Sequence, residues 1–573
     1  MGVNGNFTLS AGVGEGEVGS GNINLNYRNN KLNIFGGYGY SSQSQKQVFS
    51  NFRSINFNNI LTESEVITDR DPTQLNHNAR IGLDFQASGN TIIGFLVSAY
   101  NNKWTMDAFN SGYTEINNVL DSRIGMENIE RNQWKNFSSN FNIEQKIGDH
   151  QKINLNLDYL IYEDENPNDY ETQFFSNSGG LSKEELTRGF KYTPIYIKVG
   201  QLDYQNNLSD KFKINTGFKW ALTNLDNDVT TDIFENNQWN PIDQFTNESE
   251  LRENIVAGYA SADLNIDENN SFKFGLRYEH TDSDLITLKE GHVVDREFGK
   301  FFPSIFYSRN LNSNQSLNLS YSKRITRPTF NQMAPFAIFL DPNTFFFGNA
   351  NLQPAFTDNY KIDYRINATL ISFQYSKEDS TISTFQDRVD VESNQQLYEP
   401  VNLSSANTFS TSLSFPLSVG SRWEMQNNIL YIWSETSSYY EEQPIQISQS
   451  SLNFNSNHSF KLGKNLVSEL SGFYNSSSVS GRSIVRPIYG INFGIQKKFS
   501  DGSSLRFNVR DLFNSIKFVG GTDIPELGFL TRGSFDFSNR TFSLSYSTSF
   551  GNSKLKSSRD RVTGSEEERR RVN

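Results

Sequence analysis

Cysteine is missing from this chain altogether, which excludes disulfides, thiol nucleophiles and cysteine metal sites in one step. No run of about 18 apolar residues occurs either, so no helix is expected to cross a membrane. Histidine is scarce: His77, His150, His280, His292 and His458 lie scattered, and none belongs to an HExxH pair. GxSxG is absent, as is GxxxxGK followed by Ser or Thr, so the local signatures of zinc proteases, serine hydrolases and phosphate-binding loops are missing. A site could still be assembled from distant strands, but nothing points to one. No enzyme activity, cofactor or metal is expected. Basic charge is also short: the formal net charge is −12 and no basic patch stands out, which makes nucleic acid a poor partner. The N-terminus, MGVNGNFTLSAGVGEGEVGS, has neither the basic nor the apolar region of a signal peptide. The expectation is a removed signal or a start partway along a longer protein.

What the chain has in quantity is alternation. In INLNLDYLIY (153–162), Ile153, Leu155, Leu157, Tyr159 and Ile161 fall on one side of a strand, and Asn154, Asn156 and Asp158 on the other. The same period of two appears in SFKFGLRYEH and TFSLSYSTSF. There Phe272, Phe274, Leu276, Tyr278, Phe542, Leu544 and Tyr546 oppose Lys273, Arg277, Glu279 and a row of serines. Tight turns near Asn29-Asn30, Ser88-Gly89-Asn90, Gly148-Asp149, Ser209-Asp210, Gly420-Ser421 and Asp501-Gly502 join such runs into hairpins. Between hairpins lie longer polar segments, read as loops: 42–75, 105–131, 163–192, 225–251, 282–299, 326–358, 378–405 and 515–538.

Strand, short turn, strand, long loop, repeated, predicts about 22 strands. That leaves about 26 residues for each strand with its connection, enough for roughly ten spanning residues and a sizeable loop. Short turns at one rim and long loops at the other are the layout of an outer-membrane barrel, and an even strand count suits antiparallel closure. The oily faces then meet lipid and the charged faces the lumen, since a charge near mid-bilayer costs about 2–4 kcal/mol. A mean hydropathy of −0.58 is no obstacle, because lumen and loops are polar. The fold expected is all-β: a transmembrane antiparallel barrel over residues 1–552.

Residues 324–360 hold Pro328, Pro335, Pro342 and Pro354, four of the 14 prolines, together with Phe336, Phe339, Phe345, Phe346 and Phe347. Proline withholds a ladder donor, so this is a shaped loop. Its aromatics either pack on the barrel rim or line a ligand vestibule, and the loop could fold inward and partly occlude the opening. YEDENPNDY (162–170) gathers Glu163, Asp164, Glu165 and Asp169 without EF-hand spacing; it reads as a solvated acidic loop. At the C-terminus, residues 553–573 read as a periplasmic tail in which Ser565 and Glu568 could form a capping box for a short helix.

Arg327-Pro328, the stretch Gly348-Asn349-Ala350-Asn351-Leu352-Gln353-Pro354-Ala355, GLRYE (275–279), VRDLFNS (509–515) and the closing GSEEERRRV (564–572) carry a resemblance. In order and spacing the chain resembles the barrel domain of TonB-dependent outer-membrane receptors, in the outer membrane beta-barrel branch of Bacteroidetes type. Ala350 and Ala355 stand where that family usually has Pro and Glu. The resemblance implies a Gram-negative outer-membrane receptor that takes up a nutrient too large for porins, with short turns in the periplasm and long loops outside. It also implies contact with membrane lipid and lipopolysaccharide, insertion by the barrel assembly machinery, and energising by TonB through an N-terminal plug. No plug sequence is recognised before the first strand. A plugless pore or a scaffold barrel is therefore the alternative.

Overall fold

The structure, a computed structural model, describes residues 2–572 except 290, 335, 391–394, 441–442, 526–527, 556–558, 560 and 562. Twenty-two antiparallel strands make a closed wall. Closure is explicit: the last strand, Thr541–Gly551, pairs with the first, Gly2–Val13, from Asn4 opposite Gly551 to Val13 opposite Phe542. A closed sheet has no free edge, so every backbone donor and acceptor at membrane depth finds a neighbour in the ladder.

The predicted turns all lie on one rim. Gly148 and Gly420 supply the positive φ (61° and 60°) that the tight reversals there require. Above this rim the outward face is oily and then changes. Along Gln151–Ser176 it runs Ile153, Leu155, Leu157, Tyr159 and Ile161, and then Glu163, Glu165 and Asp169. Along Asn270–Thr287 the change falls between Tyr278 and Asp282, and along Phe212–Glu235 between Trp220 and Asp226. An outward belt of aliphatic side chains bordered by Tyr and Trp is how a barrel meets lipid and its interface.

Beyond the belt the structure corrects the sequence reading. The segments 42–75, 105–131, 163–192, 225–251 and 282–299 are not open loops. Strands such as Ile60–Gln86, Val119–Ile147 and Leu181–Ser209 simply continue upward. They end at tight tips, three of them Asn-Asn pairs with both residues left-handed: Asn58-Asn59, Asn117-Asn118 and Asn236-Asn237. Two successive positive φ values match the twist of a two-residue hairpin, and asparagine tolerates them. The ladder needs only backbone, so it persists where both faces are wet and the apolar alternation that signals a strand has gone. The acidic stretch 162–170 is part of this extension: Glu163, Glu165 and Asp169 point outward, whereas Asp164 points inward and is buried. The 326–358 and 378–405 segments do hold irregular chain.

The core sits inside the barrel. Leu160, Ile195, Ile197, Val199, Leu225, Leu251, Ile255 and Leu285 form an apolar patch on the inner wall, covered by Phe330, Met333 and Leu352 of the inward-folded loop and by Val572 of the C-terminus.

The rim assignment can be checked in this cysteine-free chain. Ser178→Cys at a long-hairpin tip should react with a membrane-impermeant maleimide on intact cells. Gly89→Cys, on the short-turn rim, should react only after the outer membrane is opened. The reverse pattern would invert the orientation.

Candidate ligand vestibule

The proline-rich loop is built from its start. Thr329 caps the single-turn helix α1 (Phe330–Met333) in a closed capping box. The Gln332 amide donates to Thr329 Oγ1 at 3.2 Å, and the Thr329 amide donates to Gln332 Oε1 at 2.8 Å. Gly348 then passes so near this helix end that a Cβ would collide with the Ala334 carbonyl oxygen. The loop goes on into Ile338–Asp341 and Thr344–Phe346, which join Ile382–Asp390 and Gln395–Asn402 in a separate four-stranded sheet.

This sheet bridges opposite walls of the barrel at the long-hairpin end. On one side, Phe339 meets Tyr170 edge-on at 5.4 Å and Phe345 meets Phe245 at 5.1 Å. On the other, the Asn51 amide donates to Gln396 at 3.1 Å, and the Thr522 and Thr531 hydroxyls donate to Asp387 at 3.0 and 2.7 Å. Burial pushes the Asp341 carboxyl of this sheet above its ordinary range, against the pull of hydrogen bonds from Thr344 and Asn343 and of nearby Arg53. The sheet is a lid.

Between lid and wall lies a cavity of about 750 Å³. Of the five candidate phenylalanines, Phe336, Phe346 and Phe347 line it; Phe339 and Phe345 do not, being packed in the lid's own cluster with Phe245. The opposite wall contributes Trp104 and Trp134. The sequence reading missed both; each shares the inward face of its strand with a buried asparagine, Asn102 for Trp104 and Asn140 for Trp134. The cavity's Lys191 and Asp164 form an ion pair of 2.9 Å with both side chains buried. Lys191 also donates to Asn331 at 3.3 Å and stands over the Phe336 ring. The amide oxygens of Asn132 and Asn168, on the same wall, have no hydrogen-bond partner among the described residues. The site therefore offers flat apolar faces, with a paired charge behind them.

On the short-turn side of the lid the lumen holds the C-terminal segment, a placement that differs from the expected periplasmic tail. Arg561 pairs with Asp84 at 2.7 Å, Arg559 with Glu144 at 3.3 Å, and the Gly564 amide donates to Asp158 at 3.0 Å. Helix α2 (Glu566–Val572) starts directly after Ser565. Glu568, together with Glu567, holds Lys219, at 3.0 and 2.8 Å. The wall presents carboxylates to the segment's arginines and a lysine to its glutamates, which is why a charged tail goes inward. Arg571 binds Glu253, donates to the Pro328 carbonyl at 3.0 Å and covers the Phe330 ring.

Three stretches that carry the resemblance meet here: Glu279 binds Arg277 and Arg327, and Glu567 lies 3.5 Å from Arg277. VRDLFNS has a local role. Its buried Asp511 accepts from the Ser515 and Ile516 amides at 2.9 and 3.0 Å and shapes a turn.

Residues 145–548 match the family model described as "Outer membrane protein beta-barrel family". No curated protein matches the sequence. Among solved structures, the siderophore receptor PiuA from Acinetobacter baumannii is similar, with TM-score 0.60 and 10% identity over 96% of this chain and 81% of that one. The ferripyoverdine receptor of the Pseudomonas aeruginosa outer membrane, bound to ferripyoverdine, gives 0.59 and 12% over 96% and 72%. The ferric enterobactin receptor mutant from the same organism gives 0.57 and 12% over 96% and 80%.

Proposed function

Since this chain belongs to the outer membrane protein beta-barrel family, we propose that it is the barrel of a TonB-dependent receptor and takes up a nutrient too large for porins. It lies in the outer membrane of a Gram-negative cell. The observation that carries the reading is the lidded vestibule: a diffusion pore has no use for a sheet laid across its mouth over an aromatic cavity of about 750 Å³. The similar structures named above are a siderophore receptor, a ferripyoverdine receptor and a ferric enterobactin receptor, and uptake of a bulky ligand through such a barrel is the reading their fold supports. Phe336, Phe346 and Phe347, facing Trp104 and Trp134, stack against the ligand. Energy enters through a plug that engages TonB; lipopolysaccharide borders the outer belt, and the barrel assembly machinery inserts the chain. No catalytic role is assigned.

The experiment is a growth screen of a deletion strain on single nutrient sources, repeated with and without TonB. The receptor reading expects a nutrient-specific defect that the intact gene restores only when TonB is present. Restoration independent of TonB would favour a passive pore. On the nutrient so identified, Trp134→Ala and Phe346→Ala should each raise the half-saturating concentration roughly tenfold, the equivalent of about 1.4 kcal/mol of lost contact.

A further inference from the structure

The charge lining the vestibule cancels. Among the described residues, four ionised side chains reach the cavity: Arg70 and Lys191 against Glu130 and Asp164. Lys191 is engaged by Asp164, with both side chains buried. Arg70 lies in the field of the Glu130 carboxylate and turns its Nε to Met106 Sδ at 2.9 Å. Glu130 in turn accepts from Asn128 and Asn132 at 3.2 and 3.4 Å. No charge of either sign is left over for a ligand. What remains in reach is uncharged. Trp134 pairs with Asn102 and Trp104 with Asn132 across neighbouring strands, so the two indoles stand side by side as diagonal neighbours on the inward face. Facing them, Phe346 of the lid meets Phe385 edge-on at 5.4 Å and Tyr398 at 5.3 Å. Gln74, Asn331, Gln332 and Thr384, each at least partly exposed, add amides and a hydroxyl to the same cavity. Resting on the receptor reading above, we propose that the vestibule's ligand is an uncharged oligosaccharide whose rings stack on the Trp104–Trp134 platform, and not an anionic iron chelate.

The two halves of the cavity wall ask for different things, and a sugar chain supplies both. A pyranose ring has a face of C–H bonds and a rim of hydroxyls. The C–H face is apolar and positive at its hydrogens, so it lies well on the negative face of an indole. The rim hydroxyls each donate and accept, which matches side-chain amides, themselves both donors and acceptors. A ligand of hydrocarbon alone would cover those amides and leave them without partners. A charged ligand would lose its water against a wall with no free counter-charge. Two adjacent indoles also require a ligand at least two rings long, since a single ring leaves half the platform bare. The outer face of the same hairpins acts in the same direction. Glu163, Glu165 and Asp169 point outward there, and their field opposes the approach of an anion before it reaches the vestibule.

The test titrates the full chain, purified in detergent, with maltohexaose, cellohexaose, xylohexaose and mannohexaose. Ferric enterobactin and oligogalacturonate serve as anionic probes, and binding is read by indole fluorescence and by heat. The expected result is saturable binding of at least one neutral hexasaccharide and of neither anion. Its affinity should be the same at low and high salt, because an uncharged ligand has nothing to screen. Trp104→Ala should weaken that binding roughly tenfold, and Trp104→Phe should restore most of it, since a phenyl ring keeps the flat face. Should Trp104→Ala fail to assemble, Trp134→Ala, at a position 48% exposed, gives the same comparison. Preference for either anion, or failure of all four neutral probes, would overturn the oligosaccharide. Unchanged affinity in the tryptophan variants would overturn the platform. The receptor reading fails separately. Growth on an iron chelate that depends on TonB would leave the receptor standing and remove the oligosaccharide, whereas restoration without TonB would remove the receptor whichever probe binds.

Discussion

Arginine in place of Leu157 is expected to destabilise the barrel by about 2–4 kcal/mol, the cost of a charge near the bilayer midplane. It should be read as a lower denaturant midpoint after refolding into lipid vesicles. Leu157 points outward with 47% of its surface exposed, inside the belt that ends at Ile161. Ser471→Arg should cost far less. That residue lines open lumen beside Glu469 and Arg506, where a guanidinium keeps its water and finds a carboxylate. Facing alone would make Asn156→Arg equally cheap, but the structure says otherwise. Asn156 is 2% exposed, accepts from Asn142 at 2.9 Å, and lies one inward step from Asp158, where the C-terminal segment docks. An arginine there would have to displace the amide ladder or the segment. Equal costs at 157 and 471 would refute the assignment of faces.

The same three residues show what was legible. Alternation announces which side of a strand is oily, and tight-turn residues announce where strands reverse. The turn rim, the lipid belt and the strand count follow from those two signals. Three features leave no such signal. The upper hairpins are wet on both faces, so Glu163-Asp164-Glu165 looks like a solvated loop even though Asp164 is buried against Lys191. Asn-Asn tips such as Asn117-Asn118 are unremarkable in a chain rich in asparagine, and only their φ values identify them. The C-terminal segment looks like a free tail because its partners, Lys219, Glu253 and Asp158, lie hundreds of residues away on faces that read merely as lumen. The phenylalanine-rich loop fell between these cases. Its need for burial was legible, while the division into Phe336, Phe346 and Phe347 on the cavity and Phe339 and Phe345 inside the lid depends on a parallel pairing of Thr344–Phe346 with Gln395–Asn402, which local sequence does not encode.

Removing one half of the Lys191–Asp164 pair should have the largest effect of any single polar substitution in the vestibule. The side chains are 7% and 9% exposed, so Asp164→Ala leaves an ammonium among Phe336, Asn331 and the wall without its counter-ion. The expected loss is about 3–5 kcal/mol, the cost of an uncompensated buried charge. The double variant Asp164→Leu with Lys191→Met should recover most of it, because two apolar groups of similar volume need no desolvation offset. That pattern, a severe single and a mild double, is the signature of a dry pair, and it bears on function as well as stability. Lys191 touches the loop that carries the lid, through Asn331 and Phe336, so a dry pair means that loop and lid exclude bulk water from the back of the vestibule before any ligand arrives. A mild Asp164→Ala would instead mean that water already reaches the pair and that the lid stands open in solution. Ligand stacking on Trp104 and Trp134 would then have to bring about the closure that the structure shows without it.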